Sequence, residues 1–349
     1  MALVSTSQCA STNHHEIDKP ESSIAVSNAA SVPKSNKEKN TASNSDGAIQ
    51  DHSTEPKSFK LFEPRLRNCA SKEESKDSIK VTPFDVIRGS DTQKLEPVTL
   101  VAKIERRLFG GLNPDLKDKK VEFSLDKSIL GQSVSDNDGI AKVNTLIDPK
   151  GGTSADPGSI HLVSHCFDAR LEDIQMQGGI YTFSQTDPIF IVDVDEVISA
   201  LSEVSVPLMS IENSPPVSGA VKNLNIVAKG YRIVYLTARD DSLANKTRSW
   251  LVAKGFPDGP LKIWDWGLKN QIGISRKLQG QYKLEFIASL KSKFSNVKFG
   301  IGNKPHDAIS YAQSGIKAII IGAKDPISDF PNGTQFVSSW DEVPKLLME

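Results

Sequence analysis

The chain has 349 residues and a formal net charge of −1, with 42 basic and 43 acidic side chains. This length allows two or three domains if each takes roughly 100–200 residues. The charges form no block of one sign. The composition therefore predicts neither a basic nucleic-acid-binding face nor an acidic interaction tail, and we expect no nucleic-acid partner.

Residues 1–60 are rich in Ser, Asn and Lys, have Phe59 as their one aromatic residue, and show no hydrophobic periodicity. Such a segment buries too little apolar surface to offset chain ordering, which predicts a disordered tail. The tail could be a linker, a phosphorylated regulatory region or a signal for a secretion system, and its composition does not rank these.

Membrane-spanning and secretory signals are not evident. The start of the chain has only a short apolar patch with no basic region before it, unlike a standard secretory signal. The longest apolar stretches, IFIV at 189–192 and AIIIGA at 318–323, are far below the roughly 18–20 residues needed to span a bilayer. We expect a cytoplasmic chain with no transmembrane segment that can still associate peripherally with membranes.

Cysteine spacing gives little structural information. Cys9, Cys69 and Cys166 are odd in number, far apart and without metal-ligand spacing, which predicts no disulfide scaffold. His161 and His165 are four residues apart, next to Cys166, so a metal site is conceivable there. Ordinary strand positions are the better interpretation.

A small all-β domain is predicted for residues 96–178, after a mixed connector at 61–95 that contains one or two strands. Four runs alternate apolar and polar residues between turn residues: VTLVAKIERRL (98–108), KKVEFSL (119–125), GIAKVNTLI (139–147) and SIHLVSHCF (159–167). The stretch DNDG at 136–139 predicts a hairpin turn. The pattern resembles the immunoglobulin-like sandwich modules that precede some lipid-phosphatase domains.

Residues 186–349 have the pattern of a parallel α/β domain. Near-continuous apolar runs, typical of strands buried on both faces, occur at 189–194, 231–236, 260–264, 297–301 and 317–322. Helical patterns lie between them at about 218–229, 241–254, 282–294 and 305–314. This alternation predicts a parallel sheet with helices on both faces, and a site at the carboxyl ends of its strands.

Three strand ends carry polar side chains that suit phosphate or metal chemistry. Asp193 and Asp195 follow the first strand, where hard oxygen ligands suit Mg²⁺; the alternative is a pair of solvated loop acids. Thr237, Ala238 and Arg239 follow the second strand and could hold a phosphate, although Thr237 fits a helix N-cap better.

The remaining candidates lie further along the chain. Lys283 is predicted in the first turn of a helix, where it opposes the helix dipole and so indicates an anionic site. After the fourth strand, Asn303 suits either a helix cap or a metal ligand, Asp307 follows four residues later, and Pro305 fits an early helical position.

This ordered set resembles the haloacid-dehalogenase superfamily of phosphotransferases, whose motifs are D-x-D-x-[TV], a strand-end Ser/Thr, a Lys and a strand-end acidic or amide pair. More narrowly, GYRIVYLTAR, GPLKI, YKLEFIASLKSKF and FGIGNKPHDAISYAQSGI resemble the lipin domain of phosphatidate phosphatases and its relatives in the Nir/RdgB phosphatidylinositol-transfer proteins. The resemblance covers roughly residues 187–335.

The resemblance implies roles for these residues. Asp193 would be the nucleophile and Asp195 the general acid/base. Thr237, Ala238, Arg239 and Lys283 would hold the phosphoryl group. Asn303 would join Asp193 and the Asp195 backbone carbonyl around Mg²⁺, with Asp307 behind them.

Two positions depart from the lipin pattern. Glu196 stands where the family usually has Gly, and Val197 where it usually has Thr. A third carboxylate beside the aspartate pair could crowd the loop, raise the pKa of Asp195 by repulsion, or point to solvent. Val is accepted elsewhere in the superfamily, so Val197 is the smaller departure.

The expected substrate is phosphatidate or a related membrane phospholipid, because the segments after Val197 and Arg239 are too short for a large cap, which leaves the site open. Trp264 and Trp266 could lie in a lipid interface or pack on a helix, and Trp250 is expected in the core. The alternatives to a lipid phosphatase are a phosphatidate-binding module without turnover and a phosphatase with a non-lipid substrate.

Overall fold

The computed structural model describes residues 69, 79–89, 96–107, 113–147, 164–202, 205, 209–211, 213–264 and 276–348. The predicted N-terminal tail, His161 and Trp266 lie outside these residues. Among the described residues, no helix is long and apolar enough to cross a membrane.

In the part of the chain that the structure describes, eight strands form a β-sandwich of two sheets. The first sheet has the order β1-β3-β6 and the second the order β2-β8-β7-β4-β5. The two sheets enclose one apolar core, in which Phe123 and Phe167 stack with ring centroids 6.2 Å apart. The strands are β1 Ile79–Pro83, β2 Val86–Gly89, β3 Glu96–Arg106, β4 Lys120–Leu125, β5 Ser128–Val134, β6 Ile140–Ile147, β7 Ser164–Leu171 and β8 Ile174–Phe183.

The alternation in the sequence explains the sandwich. In β3, Leu100, Ala102 and Ile104 are fully buried at every second position, as one face of a sheet on a core requires. Strands β1 and β2 fall within 61–95, where the sequence indicated one or two strands.

Two local features of the sandwich differ from the predictions. Residues 136–139 do form a turn, in which Gly139 has a φ of +70° and its N–H donates to the Asp136 carbonyl at 3.1 Å. The strands that it joins, β5 and β6, lie in different sheets, so it is not a hairpin turn. Cys69 and Cys166 form a disulfide across 97 positions, a pairing that such distant cysteines did not predict.

Six parallel strands form the second sheet system, in the order β11-β10-β9-β12-β13-β14, and the expected α/β fold is confirmed. Central β9 is buried at all four positions, which explains its continuous apolar sequence. The strands are β9 Ile189–Val192, β10 Arg232–Asp240, β11 Leu261–Trp264, β12 Val297–Gly302, β13 Lys317–Ile321 and β14 Gln335–Val337.

Within the described residues, five α-helices cover the two faces of this sheet. They are α1 Ala220–Val227, α2 Ala244–Ala253, α3 Arg276–Lys293, α4 Pro305–Gln313 and α5 Val343–Met348. Helices α1, α2 and α5 pack on one face, and α3 and α4 pack on the other. Pro305 is the first residue of α4, as predicted, because its missing N–H costs nothing there.

Two of the expected element boundaries were wrong. Helix α3 begins at Arg276, so Lys283 lies in its third turn and the predicted opposition to the helix dipole does not apply. Strand β10 continues to Asp240, which places Thr237 inside the strand. The N–H of Ser242 is capped by the Asp240 side chain at 3.0 Å, so Thr237 is not the N-cap.

Buried polar contacts join the sandwich to the α/β domain. Asp85, in the turn between β1 and β2, accepts hydrogen bonds from Arg248 Nη2 at 2.9 Å and from the Leu261 N–H at 2.8 Å. Lys103 of β3 lies 3.0 Å from Asp241, directly after β10. All these side chains are buried, so the two domains share a desolvated ionic interface.

Candidate active site

The register of the parallel sheet brings the candidate residues to one edge. Val192 of β9 pairs with Tyr235 of β10 on one side and with Ile301 of β12 on the other. The next backbone N–H, that of Asp193, donates to the Ile301 carbonyl at 3.0 Å. The residues that follow these three strands therefore meet at one carboxyl edge, as the sequence predicted.

Lys283 bridges two carboxylates at this edge. Its Nζ lies 3.0 Å from Asp193 Oδ1 and 2.6 Å from Asp307 Oδ1, and the lysine is 1% exposed. Helix α3 carries Lys283 to this position from the covering layer. The structure thus brings together three of the predicted residues in one ion-paired group.

Burial sets the protonation of this group. Burial raises the pKa of Asp193 to about 7, while Lys283 opposes that rise. Burial acts to lower the pKa of Lys283, but the carboxylates of Asp193 and Asp307 raise it above its ordinary value. Burial acts to raise the pKa of Asp307, yet Lys283 holds it below its usual range. The Lys283 ammonium is therefore charged, and it stabilises the ionised form of Asp307.

Asp195 is held by β10. Arg239 forks onto its carboxylate, with Nε 2.9 Å from Oδ2 and Nη2 2.8 Å from Oδ1. The Thr237 hydroxyl donates to Asp195 Oδ2 at 3.3 Å. Arg239 is 2% exposed and also donates from Nη1 to Thr247 Oγ1 at 3.0 Å. The predicted phosphate-binding residues Thr237 and Arg239 thus contact the second aspartate, and Ala238 lies buried between them.

Asp307 organises the loop after β12. Its Oδ2 accepts from the backbone N–H groups of Asn303 and Lys304, both at 3.1 Å. A Cβ at Gly302 would lie 2.5 Å from the Asp307 Cβ, so glycine is what permits this approach. Lys304, rather than Asn303, is the N-cap residue of α4, which leaves the Asn303 side chain for another role.

The side chain of Asn303 is suited to serve as a metal ligand. Its Nδ2 donates to Glu196 Oε2 at 3.3 Å, whereas its Oδ1 is buried with no hydrogen-bond partner. A buried amide oxygen that accepts no hydrogen bond destabilises the folded state, and a bound cation would remove this cost by coordinating the oxygen. Two aspartates and one amide oxygen also suit the hard oxygen preference of Mg²⁺. Within the described ranges, no group of three or more His, Cys, Asp or Glu side chains could hold a metal.

The structure accommodates both residues that depart from the lipin pattern, Glu196 and Val197, in the loop after β9. Val197 is fully buried in the core, and its carbonyl accepts from Trp340 Nε1 at 2.9 Å. Glu196 has a φ of +57° and pairs through Oε1 with Lys324 at 2.6 Å. The hydrogen bond from Lys324 lowers the pKa of Glu196. Glu196 is therefore ionised and directed to lysine.

Sequence reasoning missed the contributions of Thr247 and Lys324, because their positions carry no motif. It also gave no role to Lys304, although this residue follows Asn303 directly in the quoted stretch FGIGNKPHDAISYAQSGI. The aromatic residues follow the simpler expectation: Trp264 stacks on Tyr282 with centroids 5.3 Å apart, and Trp250 is 3% exposed in the core. The contact of Trp264 with α3 favours the packing alternative for that residue.

The fold and this edge define a parallel α/β domain with polar and charged side chains gathered at the carboxyl ends of its strands. A family model described as LNS2 (Lipin/Ned1/Smp2) matches residues 157–341, more than half of the chain, and the chain belongs to this family. The match begins before β7 and so includes the last two strands of the sandwich. Comparison with curated proteins gives no significant match.

Several solved phosphatases and hydrolases are similar to part of this chain. D,D-heptose 1,7-bisphosphate phosphatase from B. bronchiseptica, in complex with magnesium and phosphate, is 16% identical over 46% of this chain and 98% of its own, with a TM-score of 0.35. A predicted phosphatase from Clostridium acetobutylicum is 14% identical over 47% and 99%, with a TM-score of 0.32. A haloacid dehalogenase-like hydrolase from Streptococcus pneumoniae is 11% identical over 47% and 99%, with a TM-score of 0.31. Because these TM-scores are below 0.5, the similarities assign no activity.

Proposed function

We propose that the protein is a Mg²⁺-dependent phosphomonoesterase that works through an aspartyl-phosphate and acts on phosphatidate or a related membrane phospholipid. The observation that carries this proposal is the buried bridge of Lys283 between Asp193 and Asp307. It places a fixed ammonium beside a carboxylate at the carboxyl edge of a parallel sheet, where a phosphoryl group needs positive charge.

In the proposed reaction, Asp193 attacks phosphorus and forms an acyl-phosphate while the bond from phosphorus to the lipid oxygen breaks. Asp195 gives its proton to the departing oxygen. It then takes a proton from water, which hydrolyses the acyl-phosphate and releases inorganic phosphate. Lys283 offsets charge on the phosphoryl oxygens. Mg²⁺, held by Asp193, the Asp195 backbone carbonyl and Asn303, would supply further positive charge there.

Family membership and the open site support the proposal of a lipid substrate. About 20 residues separate Val197 from Ala220, and about 40 separate Arg239 from Lys283; α2, β11 and the start of α3 take about half of the latter. Neither segment provides a large cap, which favours a substrate presented at a surface. We place the protein in the cytoplasm, peripheral on membranes, with no nucleic-acid substrate because the balanced charge offers no basic funnel.

A phosphatidate-binding module without turnover is the second candidate. The Arg239 fork and the Thr237 hydroxyl together engage both oxygens of Asp195. A carboxylate held in this way is not yet available for proton transfer, which favours binding over hydrolysis unless the substrate phosphate displaces it from Arg239.

Phosphate release from phosphatidate liposomes, with and without Mg²⁺, tests the proposal. The wild-type protein should release phosphate, Asp193→Asn should not, and Asp126→Asn, a matched change at an exposed turn, should behave as wild type. Binding to the liposomes without release by the wild type would support the second candidate. Faster release from a water-soluble phosphomonoester than from the liposomes would contradict the lipid assignment.

A further inference from the structure

Glu196 occupies a backbone conformation that disfavours side chains. Its φ of +57° lies in the left-handed region, where a Cβ approaches the following carbonyl and glycine is the preferred residue. This chain nevertheless places a carboxylate there, directly after the second aspartate.

The contacts of this carboxylate are asymmetric. Oε2 accepts from Asn303 Nδ2 at 3.3 Å and lies 3.8 Å from Lys304 Nζ, while Oε1 accepts from Lys324 Nζ at 2.6 Å. The Glu196 side chain is 24% exposed, and the Asn303 side chain is buried. Glu196 thus lies at the rim of the site, held by two lysines, with one oxygen directed at a candidate metal ligand.

The chemistry of the Asn303 amide makes this contact selective. An amide has one donor end and one acceptor end, and the two ends have nearly the same shape. A carboxylate accepts and cannot donate, so it bonds the Nδ2 end and leaves the Oδ1 end for a different partner. Oδ1 is indeed the buried atom without a hydrogen-bond partner.

We propose that Glu196 is a positioning residue that orients the Asn303 amide so that Oδ1 is presented to a divalent cation. This inference rests on the proposed metal-dependent function. The ammonium groups of Lys324 and Lys304 offset the charge of Glu196, so that the carboxylate can lie beside two aspartates without strong repulsion. Its contribution is directional rather than simply electrostatic.

Mn²⁺ binding to the full-length protein, followed by the electron paramagnetic resonance signal of free Mn²⁺, measures this role without relying on turnover. Glu196→Gly should weaken Mn²⁺ binding by about 10–100-fold, the usual effect of losing a group that orients a metal ligand. Glu196→Gln should weaken it less, because a Gln side chain still offers an acceptor to Asn303. An equal loss in the two variants would indicate an effect of charge alone and would overturn the proposal.

Glu172→Gly provides the matched control. Glu172 also has a left-handed backbone, with a φ of +53°, but it lies exposed in the turn between β7 and β8. This variant should bind Mn²⁺ as the wild type does. Both Gly variants should fold, because Gly accepts this conformation readily, and thermal melting checks that they do.

The Asn303→Asp background gives the sharpest comparison, because an aspartate has no donor end to orient. In that background Glu196→Gly should no longer weaken Mn²⁺ binding, and should strengthen it by removing a like charge. An equal weakening in both backgrounds would overturn the proposal. A wild-type protein that binds no Mn²⁺ would overturn the metal-dependent function as well, whereas normal wild-type binding that is unchanged in Glu196→Gly overturns this inference alone.

Discussion

Asp85→Asn should destabilise the protein strongly, because Asp85 connects three separate elements. Oδ1 accepts from the Gly179 N–H of β8 at 2.8 Å and from Arg248 Nη2 of α2 at 2.9 Å. Oδ2 accepts from the Leu261 N–H of β11 at 2.8 Å. The Asp85 side chain is 1% exposed, so water cannot replace a lost partner.

The magnitude follows from what an amide can and cannot accept. Asn has one acceptor oxygen, so at least one of the N–H groups would face an NH₂ group and lose its bond, at about 1–3 kcal/mol. Arg248, also buried, would lose its charged partner and keep a neutral one at best. A buried pair broken from one side costs about 3–5 kcal/mol, which sets the expected loss in unfolding free energy at about 3–5 kcal/mol in total.

Urea unfolding followed by tryptophan fluorescence and circular dichroism measures this loss. The midpoint should fall at an unchanged m value, and the exposed change Asp126→Asn should leave it where it was. Combining Asp85→Asn with Arg248→Met should cost less than the sum of the single changes, because the second change removes the unpaired charge. A loss below about 1 kcal/mol for Asp85→Asn, or strict additivity in the double variant, would refute this account of the interface.

Three further predictions concern other buried groups. Burial, and after it the charge of Asp241, raises the pKa of Glu105 from 4.5 to about 8. The unfolded chain therefore releases this proton at a lower pH than the folded chain does, and stability falls as pH rises from about 4.5 to 8. The unfolding free energy of Glu105→Gln relative to that of the wild type should therefore rise by up to roughly 1.4 kcal/mol per pH unit in that window. A difference in melting temperature between the two proteins that stays constant from pH 5 to 8 would contradict this. Lys283→Met leaves two buried carboxylates without their ammonium, so phosphate release should be lost and unfolding free energy should drop by about 3–5 kcal/mol; retained release would exclude the proposed role. Replacing Cys69 and Cys166 by Ser should lower stability by about 2–4 kcal/mol, as should reducing the wild type, whereas Cys9→Ser should change nothing.

The strands that carry the site could be predicted from sequence because strands buried on both faces leave a continuous apolar signal. Asp193 and Asn303 each follow such a run, and the parallel register then brings both to one edge. The side chain that binds Asp195 could not be predicted. Arg239 follows Thr237 in a segment whose polar residues suggested a loop, yet its pairing with Asp195 satisfies the charge and allows β10 to continue through it.

The start of α3 was missed because its first turns carry no apolar stripe. At Gly280 the helix instead approaches α4 closely, where a Cβ would lie 3.5 Å from the His306 Cβ and from the Ser310 hydroxyl oxygen. That hydroxyl donates to the Gly280 carbonyl at 2.9 Å. Close backbone contact between α3 and α4 replaces apolar packing at this point, so the sequence shows no hydrophobic periodicity there.

The link between the sandwich and the α/β domain is also invisible in sequence, because its partners are far apart along the chain; Asp85 and Arg248, for example, are separated by 163 positions. This link runs through the same helix that supports the site. In α2, Thr247 holds Arg239, which in turn holds Asp195, and the next residue, Arg248, is held by the sandwich.

A boundary at residue 186 would therefore divide a unit that the structure keeps together. Strand β8 places Tyr181 and Phe183 in the core under α3, and the Tyr181 hydroxyl donates to Asp258 at 3.1 Å. The family match, which begins at residue 157, includes this strand as well. Lys103 of the sandwich also pairs with Asp241, two residues beyond Arg239. The sandwich therefore contacts the α/β domain at two positions, Asp241 and Arg248, that lie close in sequence to the residues holding Asp195.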